Sequence, residues 1–152
     1  MKEPLFGKIL KCVLYVVFVL GLIGTASMPF MFERYTYIVH GTASLTPEYR
    51  AFIVPFLMSV ALPCLWIVLE MIGMMRTIAT EPFVMRNVRA LYRIGILLFV
   101  LAAAFFMKCL FFMTFLTLFC AVFFIGSGLF AFTLAALIRQ SVVLREENEL
   151  TI

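Results

Sequence analysis

Charge is missing from four long stretches of this chain, and that absence constrains the fold more than any motif does. No Asp, Glu, Lys or Arg occurs in Cys12–Phe32 (21 residues), Ala51–Leu69 (19), Ile94–Met107 (14) or Cys109–Ile138 (30). An α-helix rises about 1.5 Å per residue, so about 20 apolar residues cross the hydrocarbon layer once. The first two runs are one span each. The last two, joined across Lys108, make 45 residues from Ile94 to Ile138, too many for one crossing and enough for two. The expected architecture is all-α: a polytopic membrane protein with four transmembrane helices, near 12–32, 51–70, 92–111 and 117–138, in two antiparallel hairpins. The turn of the second hairpin is expected near Phe112–Leu116.

Composition agrees. Hydrophobic residues make up 65% of the chain and charged residues 13%, with a mean hydropathy of +1.15. Soluble domains carry about a quarter charged residues. The 152 residues accommodate one domain, and its core need not be large because lipid solvates the outside. The net charge of +4 reads as a topology signal rather than a nucleic-acid surface, since the basic residues flank the spans. Lys2, Lys8, Lys11, Arg76, Arg86, Arg89, Arg93, Arg139 and Arg145 fall on one side; Arg34, Arg50 and Lys108 fall on the other. Nine against three predicts both termini in the cytoplasm by the positive-inside rule. The lysines, the apolar run and the small residues Gly24–Ser27 also resemble a signal peptide. The run continues at full span length to Phe32, so an uncleaved first span is expected.

The polar residues within and beside the spans are few. Glu33–Arg50 is expected as the outer loop, with Tyr35, Tyr37 and Tyr49 suited to the headgroup layer. His40 is the sole histidine and lacks neighbours that would complete a metal site. Pro55 and Pro63 should bend the second span. Glu70 sits near the inner end of that span, where pairing with an arginine such as Arg93 is expected. Lys108 is placed to snorkel to the outer surface. No charge falls near the midplane of a span and aspartate is absent altogether, which weakens a transporter reading.

Catalytic signatures are equally sparse. Cys12, Cys64, Cys109 and Cys120 form no C-x-x-C pair; Cys109 and Cys120 could meet at the outer end of the last hairpin, but free thiols are expected. No Ser-His-Asp set, metal cluster or phosphate-binding glycine loop is found. The chain is expected to be no enzyme and to carry no cofactor. The phenylalanines read as lipid-facing and packing bulk. On the fourth span Ser127, Gly128, Ala131 and Ala135 make a small-residue pattern that lets helices approach closely. Packing inside the bundle is its expected use, with a homodimer as the alternative.

Two stretches are expected to carry interactions. In Thr80–Gly95, Thr80 suits an N-cap and Pro82 a first helical turn, so the third helix should begin near Thr80–Pro82, before the membrane. Arg86, Arg89 and Arg93 then share an arc of about 60°. After the fourth span, Glu146, Glu147 and Glu149 supply opposite charge, and pairing of Arg86 or Arg89 with them is expected at matching depth.

The pattern P-F-x-x-x-N-x-x-x-L-x-R-I-G of Pro82–Gly95, with the ending LREENELTI of Leu144–Ile152, resembles the YoaS-like family of small bacterial four-span membrane proteins of unknown function. The likeness assigns Pro82, Phe83, Asn87, Arg93 and Gly95 to a loop motif and Glu146, Glu147, Leu150 and Thr151 to a tail motif. Glu149 and Ser141 depart from it, where aspartate and glycine are expected. The resemblance implies the bacterial inner membrane and, by genetic association, a helix-turn-helix transcription regulator as partner. The expected function is therefore a regulatory interaction protein presenting residues 80–95 and the tail to a soluble partner. A small transporter or pore, and a membrane-embedded enzyme, are the alternatives.

Overall fold

In lipid a backbone must satisfy its own hydrogen bonds, so apolar runs of this length become helices. The computed structural model describes residues 5–40, 47–78 and 83–150 and is all-α among them. Its helices are α1 (Leu5–His40), α2 (Pro47–Ile78), α3 (Met85–Phe111) and α4 (Phe115–Leu150). All four contain segments long and apolar enough to cross a membrane, with mean hydropathies of 2.3 to 2.5. The architecture is a multi-pass membrane one.

The helices outrun the spans that charge alone delimits. Most of the expected outer loop, Glu33–Arg50, is helical, because α1 runs to His40 and α2 starts at Pro47. Proline is well placed there, at a first position whose N–H would be unpaired anyway. The side chains of Tyr35, Tyr37, His40 and Tyr49 lie outside the described residues. Pro29, Pro55 and Pro63 sit inside helices, each removing one backbone donor. Hydroxyls in the spans are hidden locally. Thr25 donates to Gly21 O at 2.8 Å, Ser59 to Phe56 O at 2.7 Å and Thr133 to Leu129 O at 2.9 Å.

The second hairpin closes tightly. Phe112, Met113 and Thr114 separate α3 from α4, within the turn expected from the sequence. Phe112 N–H bonds Lys108 O at 2.8 Å and Thr117 N–H bonds Thr114 O at 2.9 Å. Lys108 does not simply reach outward. Its ammonium donates to the buried Thr117 hydroxyl at 3.3 Å and lies 5.4 Å from the centre of the Phe56 ring, tying α2, α3 and α4 at this end.

Packing follows chain order. Helix pairs α1–α2, α2–α3 and α3–α4 touch, while α1 reaches neither α3 nor α4 among the described residues. Facing pairs show that neighbours are antiparallel: Tyr15 meets Arg76, Phe56 meets Phe105, and Phe105 meets Phe124. The start of α1 and the end of α4 therefore lie at one end of the molecule. The α3–α4 seam is the tightest. A Cβ on Gly95 would come 2.7 Å from the Phe132 ring, and one on Gly128 would come 2.9 Å from the Phe99 ring. Each glycine thus receives a phenylalanine from the opposite helix, and the two rings stack at 5.7 Å. Ala121, Gly128, Ala131 and Ala135 are buried along α4, so most of the small-residue stripe serves the internal interface. Ser127 is half-buried. Val88, Leu91 and Ala135 form a core closed by Met74, Leu134 and Ile138, where α2, α3 and α4 converge. Other phenylalanines, such as Phe119, Phe123 and Phe130, face outward, as lipid-facing residues do.

Candidate functional site

Polar side chains gather where α2 and α3 meet at the end bearing the termini. Glu70 Oε1 accepts from Arg93 Nε at 3.2 Å and from Trp66 Nε1 at 3.4 Å. The expected Glu70–Arg93 pair is present, with the Glu70 side chain 13% exposed and that of Arg93 55% exposed. Seven residues along α2, Thr77 Oγ1 lies 2.6 Å from the Asn87 amide and 2.9 Å from Met74 O. One hydroxyl proton cannot serve both oxygens. The hydroxyl therefore alternates between Asn87 Oδ1 on α3 and Met74 O on its own helix. Asn87 is 1% exposed. A third contact, Arg76 donating to the Tyr15 hydroxyl at 3.0 Å, joins α1 to the same end.

Helix α3 begins later than expected. Val84 is its N-cap, in extended conformation and with no side-chain cap bond. Asn87 N–H and Val88 N–H both reach Val84 O. Thr80 and Pro82 lie outside the described residues, and Phe83 precedes the helix as an exposed residue. The helix nonetheless runs two turns before Arg93. Arg86 and Arg89 are exposed on this segment.

Two concavities adjoin the Glu70–Arg93 pair. A cleft of about 260 Å³ is bordered by Glu70, Gly73, Arg86, Asn87, Ala90 and Arg93. A smaller, almost wholly apolar slot of about 140 Å³ lies between Trp66, Arg93, Ile96 and Leu97. A third, open groove of about 510 Å³ runs along α4 past Tyr92, Arg139, Val143, Leu144 and Glu147. The four cysteines are free.

The acidic tail continues α4 as helix to Leu150. Contacts of Gly95 with Phe132, and of Val88 and Leu91 with Ala135, set the register of the antiparallel pair. Met85 falls level with about residue 141, so Glu146 lies roughly 8 Å beyond the start of α3. The expectation that Arg86 and Arg89 match the glutamates in depth is corrected to a stagger. Its cause is the start of α3 at Met85 together with an α4 that does not fold back. Glu146 and Glu147 are exposed, and Glu149 is helical with a side chain outside the described residues.

Of the loop-motif residues, Asn87, Arg93 and Gly95 hold helices together. Their partners Thr77, Glu70 and Phe132 lie on α2 and α4. The sequence reading missed Thr77 and Phe132, as well as the Trp66–Ile96–Leu97 slot. Gly95 was the one available signal, since a glycine inside a long helix marks a close approach.

A family model described as "Protein of unknown function (DUF2975)" matches residues 37–152. The chain belongs to this family. The resemblance to a family of small membrane proteins of unknown function is borne out at that level. The DUF2975 region takes in α2, α3 and α4, hence the whole polar cluster and the glycine–phenylalanine seam, while nearly all of α1 precedes it. No curated protein and no solved structure matches the chain.

Proposed function

We propose that this DUF2975 member is a non-enzymatic interaction protein that presents the end bearing its termini to a soluble partner. The observation that supports this most is the length of α4. It continues as helix from Arg139 to Leu150, past the last apolar run, projecting about 18 Å at 1.5 Å per residue. Val142 is buried on this extension, whereas Val143 and Leu144 are exposed beside Arg139, Arg145, Glu146 and Glu147. An exposed helix with apolar and charged residues side by side suits a protein partner better than it suits lipid. The nine-to-three basic bias supports a cytoplasmic side for this end, and the bacterial inner membrane is the setting the family likeness suggests. A helix-turn-helix regulator is the proposed partner, with Phe83, Arg86, Arg89 and the α4 extension as contact residues.

The test uses the full chain in detergent or nanodiscs and a purified helix-turn-helix regulator encoded beside it. Binding is expected, and a variant ending at Gln140 should lose it. Absence of binding by the full chain, or equal binding by the truncated one, overturns the reading.

A further inference from the structure

The cleft and the slot beside Arg93 differ in chemistry and in depth. Glu70 and Arg93 sit at the edges of the charge-free runs that end at Leu69 and begin at Ile94, so their level is the edge of the hydrocarbon. From there the polar cleft extends along α3 to Arg86, about 10 Å at 1.5 Å per residue. The headgroup layer is about 5–8 Å deep on each side, so the cleft lies within reach of it. Trp66, Ile96 and Leu97 lie on the opposite side of Arg93, about one turn deeper. Arg93 borders both concavities.

We propose that cleft and slot together form a binding site for one anionic phospholipid. Arg86 and the terminal amino groups of Arg93 hold the phosphate and its negative head, and the start of an acyl chain lies along Trp66, Ile96 and Leu97. Glu70 is the one acid among the described residues that line the cleft. It binds Arg93 through Nε, which orients the guanidinium, whose remaining four N–H donors include those suited to phosphate. Its charge offsets that of Arg93, and Arg86, which has no ion pair among the described residues, leaves the cleft net positive. A free phosphate would satisfy the arginines but leave the apolar slot unfilled. A zwitterionic head brings its own cation and gains less from Arg86.

Trp66 is the sole tryptophan of the chain and is exposed beside the slot, so its fluorescence reports occupancy. The experiment reconstitutes the full protein in phosphatidylcholine and adds a small fraction of phosphatidylglycerol or phosphatidylcholine with acyl chains brominated near the head. Brominated phosphatidylglycerol is expected to quench Trp66 at lower mole fraction, by about fivefold for one arginine acting at the surface. Arg86→Gln should abolish this preference and Arg86→Lys should keep part of it. Arg89→Gln removes the same charge from the same helix outside the cleft and should leave the preference in place. Inorganic phosphate at constant ionic strength should not relieve the quenching. Equal quenching by the two lipids, a preference that survives Arg86→Gln, equal loss in Arg89→Gln, or relief by phosphate would each overturn the site. The measurement involves no soluble partner, so it stands or falls apart from the partner reading.

Discussion

Gly95 shows how much one hydrogen atom can decide in a membrane protein. Between helices in lipid there is no hydrophobic gradient, so van der Waals packing and hydrogen bonds must hold the pair. Gly95 and Gly128 let Phe132 and Phe99 lie across the opposing backbone. In Gly95→Ala the added methyl would lie within 2.7 Å of the Phe132 ring, forcing the ring aside at a cost of about 1–3 kcal/mol. Phe132→Leu should offset part of that cost. A double-mutant cycle on thermal stability in detergent should therefore show coupling between the two positions. Additive effects would show that the ring moves freely. Asn87 illustrates the other force. Its amide is enclosed and its Oδ1 accepts across helices from Thr77, which suits it to fixing the register of α3 on α2 and removes it from any surface contact.

At the scale of elements, α3 is the hub and α1 the periphery. In the most apolar windows of α1 and α2 6% of the residues are buried, against 22% in those of α3 and α4, so the last hairpin carries the main internal interface. That interface persists beyond the membrane. Val142 is 6% exposed on the α4 extension, level with the first residues of α3. Val142→Glu would set a charge in a packed contact, and it should detach the extension from the start of α3. Amide exchange at Asn87–Ala90 is expected to accelerate in that variant and to stay unchanged in Val143→Glu, whose side chain already faces outward. Equal exchange in both variants would show that the extension does not brace α3.

For the whole molecule, antiparallel packing in chain order puts both termini at one end, and charge decides which side of the membrane that end takes. With nine basic residues at that end and three at the other, a reporter fused after Ile152 should be active as a cytoplasmic reporter and silent as an exported one. The reverse result would invert the membrane placement while leaving every helix contact intact, and would move the proposed partner to the outside.

The spans, their number and the Phe112–Thr114 turn were legible in the sequence because transfer into lipid is close to additive over local residues. A window of twenty positions contains that information. So was the Glu70–Arg93 pair, since two isolated charges at the same membrane edge have few other partners. The rotation of each helix was not legible. Lipid-facing and protein-facing residues are equally apolar here, so hydropathy carries no signal for which face turns inward. Only the folded chain could show Asn87 against Thr77, Gly95 beneath Phe132, and Trp66, Ile96 and Leu97 around one slot. The start of α3 belongs with these. Thr80 and Pro82 carry local signals for a helix start, yet the first turn forms at Met85, just ahead of Asn87 and Val88, which pack against α2 and α4. Local hydrophobicity thus determined what enters the membrane, and contacts between helices distant in sequence decided which residues face one another.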